Sequence, residues 1–193
     1  MEIVSLGSNC AIAYQLKQMN LRNHAYPFDW AKISLNSLVK VLDNDFHRYH
    51  NISIKKYSTN HLSWDDNQPS YIVCNDYGIT MAHELVNQDN IELYTLSLIR
   101  RIQRFKLLNT INKKIRFVRI ETGNLTPTQL LTYNKLVFLL DELVLNYELV
   151  VISKNKPPNQ KIIWHQLESF DENWWYPKLN WLKIFENDIE QID

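Results

Sequence analysis

From residue 91 onward, helical and strand periodicities alternate, and that alternation limits the folds open to the chain. Ile91, Leu93, Tyr94, Leu98, Ile102 and Phe105 form an apolar stripe at helical spacing over 91–108. Residues 114–120 read as a strand. Thr126-Pro127 starts a helix that runs to about 145, with proline at the first helical position. Leu149 to Ser153 is a short apolar strand of the kind buried in the middle of a parallel sheet. A Pro/Asn turn and another strand over 162–165 follow. Strands alternating with helices in this way predict a parallel sheet with helices on its faces.

The N-terminal half adds elements of other kinds. Residues 2–6 are a short buried strand, broken by Gly7-Ser8-Asn9. Residues 10–19 have helical spacing, through Ala11, Ala13, Tyr14, Leu16 and Met19. Ser34 is a suitable N-cap for a helix over 35–43. Residues 71–74 and 79–83, joined by Asn75-Asp76-Tyr77-Gly78, have a hairpin signature in which Gly78 supplies a positive φ. The stretch 44–70 is polar, aromatic and histidine-rich, and reads as an irregular loop or lid with a short edge strand at 52–57. Five aromatic residues and a final helix occupy 172–188. No repeat or linker divides the 193 residues. The expected fold is a single α/β domain over 1–193, a three-layer sandwich around a mixed, largely parallel central sheet.

Composition narrows function mainly by exclusion. Lys+Arg and Asp+Glu both number 21, so no net basic field draws the chain to nucleic acid or a membrane. Arg100, Arg101, Arg104 and Lys106 form one basic helix face, expected to be solvated. With 3 glycines, the chain has neither glycine-rich phosphate-loop pattern, and no cofactor is expected. Cys10 and Cys74 are the only cysteines and form no C-x-x-C pair. His47, His50, His61, Asp65 and Asp66 have ligand chemistry, but sit in the irregular stretch, so no metal site is expected. With no apolar run long enough to cross a bilayer and no visible leader, the chain reads as cytoplasmic and reduced.

The chemistry concentrates in the first thirty residues. A strand, a tight polar turn and a cysteine at a helix start can make a thiol reactive, because turn N–H groups and the helix's positive end favour the thiolate. Cys10 is therefore the candidate nucleophile. Asn9 and Cys10 N–H groups are candidate oxyanion donors. His83, at a strand end beside Glu84, is the candidate base. Asp29, in the turn Tyr26-Pro27-Phe28-Asp29-Trp30, is a candidate to orient it, with Asp76 as the alternative. Ser8, Asn9, Arg119 and Trp30 are the candidate substrate contacts. Arg119 can equally pair with Glu121 or Asp29. Cys74 reads as a buried structural thiol.

Ser5-Leu6-Gly7-x-x-Cys10-x-x-Ala13-x-x-Leu16 followed by Pro27-x-Asp29-Trp30 resembles the opening of the putative papain-like cysteine peptidase family. The likeness continues through Asp76-Tyr77-Gly78 with His83, Arg100-Arg101-x-x-Arg104-Phe105, Phe117-Val118-Arg119 and Trp164. The resemblance implies a thiol hydrolase acting on a peptide-like or small-molecule substrate, with Cys10 as nucleophile and His83 as base. Glu84 departs from the Asp expected after the histidine but keeps its charge. The element order differs from a papain layout, because a strand precedes the cysteine. Two other readings stay open. One is an α/β module that binds a sugar or nucleotide at the Gly7–Asn9 turn, helped by Arg119 and Trp164, Trp174, Trp175, Tyr176 and Trp181. The other is an inactive interaction protein that keeps Cys10 for packing.

Overall fold

Along 115–120 and 147–153, alternate residues point to opposite sides, and both sides are buried, so these strands need cover on two faces. A computed structural model of the chain describes residues 1–57, 70–81, 89–168, 173 and 175–186. It contains β1 (Glu2–Ser5), α1 (Ala11–Gln18), β2 (Ala31–Lys32), α2 (Leu35–Asp43), β3 (Ile52–Tyr57), β4 (Ser70–Asn75) and β5 (Thr80–Met81). Then come α3 (Ile91–Lys106), a 3-10 turn (Leu108–Thr110), β6 (Ile115–Ile120), α4 (Pro127–Leu143), β7 (Tyr147–Ser153), β8 (Ile162–Gln166) and α5 (Trp181–Phe185).

β1, β6, β7 and β8 form a four-stranded sheet in that spatial order, with every pairing parallel. Phe117, Leu149 and Val151 face one side, where they share a core with α2, α3 and α4. Val118, Ile120, Val150 and Ile152 face the other side, against α1 and α5. This is the expected three-layer α/β arrangement. The antiparallel strands are gathered in a second four-stranded sheet, ordered β2-β5-β4-β3, and do not extend the parallel one. Its Val73 and Met81 join the larger core, so the two sheets share one apolar interior.

Local signals account for the helix starts. Ser34 Oγ accepts the Ser37 N–H at 3.1 Å, and Thr126 and Gln129 form a reciprocal capping box with Pro127 in the first turn. Gly78 takes φ +69° in the β4–β5 turn, as its hairpin role requires. The stretch 44–70 is partly described, and the described part is ordered. Phe46 and Tyr49 are buried beside Phe28, with ring centroids 5.6 Å and 5.8 Å from it. Residues 52–57 form the edge strand β3, while 58–69 lie outside the described residues. The closing helix, expected within 172–188, is the short α5 among the described residues. Among the described residues no helix is long and apolar enough to cross a membrane.

After β1 the chain turns to α1 on one face; after β6 it turns to α4 on the opposite face. Neighbouring parallel strands whose connections leave in opposite directions open a crevice at their carboxyl ends, where α/β sheets bind ligands. The Gly7–Cys10 turn lies at that edge.

Candidate active site

The turn after β1 is built from left-handed backbone. Gly7 has φ +71° and Ser8 has φ +83°. A Cβ on Gly7 would lie 2.3 Å from Ile33 Cγ2. Only glycine meets both conditions. Gly7→Ala combines left-handed strain with overpacking and is expected to lower stability by roughly 2–4 kcal/mol, read by urea unfolding. A loss under about 0.5 kcal/mol would show that the turn relaxes freely.

Asn9, the residue before the N-cap, tethers the helix start. Its Oδ1 accepts the Ala11 N–H at 3.0 Å, and the Cys10 carbonyl accepts the Tyr14 N–H at 3.0 Å. Cys10 occupies the N-cap position, but its side chain makes no capping bond. The sulfur is therefore not engaged in holding the helix. Among the described residues, the Asn9 and Cys10 N–H groups meet no backbone or side-chain acceptor. Cys10 is half-buried, and protein packed around the sulfur pushes its thiol up to about 12. A wall on the same face comes from the C-terminal segment, where Gln15 Nε2 donates to the Trp175 carbonyl at 2.7 Å and Tyr14 lies 6.3 Å from the Trp175 ring.

His83 and Glu84 lie outside the described residues, as do His61, Asp65, Asp66 and Trp174. Asp29 is described and buried. Its Oδ2 accepts from Arg22 Nη2 at 2.9 Å, Arg22 Nε at 3.1 Å and the Tyr26 N–H at 3.1 Å. It locks the Tyr26–Trp30 turn, with Trp30 half-buried at φ +61°. Burial pushes the Asp29 carboxyl above its usual range, and Arg22 is the main opposing influence. The folded chain thus holds this proton to higher pH than the unfolded chain. Stability from this group falls as pH rises from about 3.8 through the raised value. Asp29→Asn is expected to remove that decline in urea unfolding at stepped pH; an unchanged slope would contradict the assignment.

Arg119 lies in the fold's interior, at 0% exposure. Its Nε donates to Glu121 Oε1 at 2.6 Å, Nη1 to the Leu6 carbonyl at 2.9 Å and Nη2 to the Ile33 carbonyl at 3.1 Å. Of the alternatives open in the sequence, pairing with Glu121 is the one found, and a substrate does not reach this guanidinium here. The basic face of α3 is also partly turned inward. Arg104 donates to the Ala25 carbonyl, beside the Asp29 turn, and Arg101 stands 5.9 Å from the Tyr94 ring centroid. Lys106 pairs with Asp45 at the surface.

Two of the tryptophans are engaged in the fold. Trp164 Nε1 donates to Ser153, and Trp181 is buried with Nε1 donating to the Tyr176 carbonyl. Cys74 is half-buried on β4. The expected Asp76 lies in the β4–β5 turn, pairing with Arg48 at 3.4 Å. Sequence reasoning missed Arg22 as the Asp29 partner; the available signal was a lone arginine seven residues upstream of a buried acid. Among the described residues no three His, Cys, Asp or Glu groups could hold a metal ion.

A family model described as putative papain-like cysteine peptidases matches residues 1–150, which include the whole Gly7–Cys10 turn and the Asp29 lock. The chain belongs to this family. It is also 29% identical over 219 aligned positions to an uncharacterised protein, R408, of Acanthamoeba polyphaga mimivirus. That alignment covers 96% of this chain and 97% of the viral protein. Cys10 lies within the matched region, just past the carboxyl end of β1.

Proposed function

We propose that the chain is a cysteine hydrolase that cleaves a peptide-like carbonyl, with Cys10 as nucleophile and His83 as base. The observation that carries this reading is the placement of Cys10. It sits at a helix start, without a capping role, just past the carboxyl end of β1, where β1 and β6 send the chain to opposite faces of the sheet. Membership of the family supports it.

In this mechanism His83 takes the thiol proton as Cys10 Sγ bonds to the carbonyl carbon. The Asn9 and Cys10 N–H groups receive the oxyanion. His83 then returns the proton to the leaving amine, and water hydrolyses the acyl-enzyme. Ser8, Asn9 and Trp30 line the substrate's approach. Asp29 serves by fixing the Tyr26–Trp30 turn, and Arg119 by bracing the strand ends beneath it.

The burial of the sulfur makes the base indispensable. A thiol at about 12 has roughly one part in 10⁵ ionised at pH 7, too little for catalysis without a proton acceptor. The same burial is what an inactive protein would show, so that reading is the one to separate. The binding-module reading is weakened, because Arg119 and Trp164 hold structural bonds. The test is intact-mass detection of an acyl adduct after incubation with activated peptide esters. An adduct on Cys10 that turns over, absent in Cys10→Ala and lost in His83→Ala, is expected. No adduct on Cys10 with any ester would overturn the reading.

A further inference from the structure

Two aromatic rings stand on the face of α1 that carries Cys10. Cys10 has helical backbone angles, φ −81° and ψ −8°, and its carbonyl accepts the Tyr14 N–H at 3.0 Å. Helical geometry therefore holds from the N-cap onward. Four residues of helix turn through about 400°, so Tyr14 lies about 40° around from Cys10 and one turn beyond it. Helical side chains lean toward the N-terminus, which inclines the Tyr14 ring over the turn that holds the sulfur. The Trp175 ring lies 6.3 Å from the Tyr14 ring, with the two planes 44° apart.

The segment that delivers Trp175 is fixed from several sides. Buried Gln15 donates Nε2 to the Trp175 carbonyl at 2.7 Å. Trp181 Nε1 donates to the Tyr176 carbonyl at 2.9 Å, and the Tyr176 N–H donates to the Asn173 carbonyl at 3.0 Å. Tyr176 takes φ +48°, a left-handed angle that a bulky residue keeps only where its surroundings impose it. The two neighbours thereby part. Tyr176 enters the core that α1 shares with Trp181, while Trp175 stays half-buried beside half-buried Tyr14. Among the described residues, neither Tyr14 nor Trp175 belongs to that core cluster.

We propose that Tyr14 and Trp175 are the specificity-determining wall of the Cys10 site, receiving an aromatic group of the substrate next to the carbonyl that Cys10 attacks. The inference rests on Cys10 being the reacting group and adds the substrate class, peptide-like acyl compounds with an aromatic side chain. Rings attract one another in tilted or offset arrangements with centroids about 4.5–7 Å apart, so a third ring can meet both. Indole and phenol faces also attract cations, and here charge decides between the two. Lys17 is exposed on the same stripe, about 20° around the helix from Cys10. Helix α1 contains no acidic residue. A cationic side chain meets that ammonium without a carboxylate from the helix to offset it, whereas a neutral ring does not.

The test uses Cys74→Ser protein and a set of methanethiosulfonates that transfer a methyl, benzyl or trimethylammonioethyl thio group to the thiol. Labelling of Cys10 is followed by intact mass, and each rate is divided by that with free glutathione. No hydrolysis is involved, so the outcome is separate from that of the acyl-adduct test. The benzyl reagent is expected to label about three- to tenfold faster than the methyl reagent, and the ammonium reagent more slowly than either. Trp175→Ala and Tyr14→Ala should each bring the benzyl-to-methyl ratio within about twofold of unity, and Trp175→Phe should keep it. Gln15 holds the Trp175 backbone and not its ring, so the segment stays in place in the alanine variant, which circular dichroism checks. Equal benzyl and methyl rates in wild type, a faster ammonium reagent, or a benzyl preference that survives both alanine variants would each overturn the proposal. So would a Cys10 that none of the reagents labels. A benzyl preference lost in the variants, with no acyl adduct from any ester, would keep the aromatic wall and overturn the hydrolase reading alone.

Discussion

Arg119→Met is expected to lower stability by about 3–5 kcal/mol, the cost typical of removing one member of a buried ion pair. The reason lies in what the guanidinium joins. It bonds the Leu6 carbonyl at the end of β1, the Ile33 carbonyl beyond β2 and the Glu121 carboxylate beyond β6. Methionine fills similar volume but leaves two buried carbonyls without a donor and a buried carboxylate without its cation. Tyr133 alone would remain to donate to Glu121, at 3.0 Å. For a chain of this size the loss corresponds to a fall in Tm of roughly 10 °C. The double variant Arg119→Met/Glu121→Gln removes both charges and should recover a large part of the loss. A single variant within about 1 kcal/mol of wild type would show that water reaches the site and that Arg119 is not the brace it looks to be.

That brace illustrates where sequence reasoning stops. A pairing of Arg119 with Glu121 was legible, because residues two apart on a strand share a face. Its complete burial was not, since it depends on Ile33 and Leu6 closing over it from distant parts of the chain. Helix starts at Ser34 and Thr126-Pro127 were legible because caps are local. The edge strand at 52–57 and the β4–β5 hairpin were legible for the same reason. The division into two sheets was not, because pairing partners are set by distant segments, and β2 is only the two residues Ala31 and Lys32.

The reactivity of Cys10 is the second large effect. Its position at a helix start was read correctly from Gly7-Ser8-Asn9-Cys10, but the packing that raises the thiol to about 12 was invisible in the sequence. Desolvation disfavours the thiolate here. The proposed chemistry therefore requires His83 to shift the balance by accepting the proton. In wild type, proton transfer to the His83 imidazole as the sulfur attacks should bring the alkylation inflection down from the value that burial imposes. Without the imidazole, the thiol should titrate far into the alkaline range. At neutral pH the loss on His83→Ala should be on the order of 10²–10⁴-fold in alkylation rate, the usual span for removal of a general base.

The most direct measurement is the pH–rate profile for iodoacetamide alkylation of Cys10, in a Cys74→Ser background, with and without His83→Ala. The account predicts an inflection in the neutral range for the wild-type site and its displacement to strongly alkaline pH when the histidine is removed. A Cys10 that stays unreactive until pH is above about 10, with a profile that His83→Ala leaves unchanged, would contradict it and identify the thiol as a packing residue.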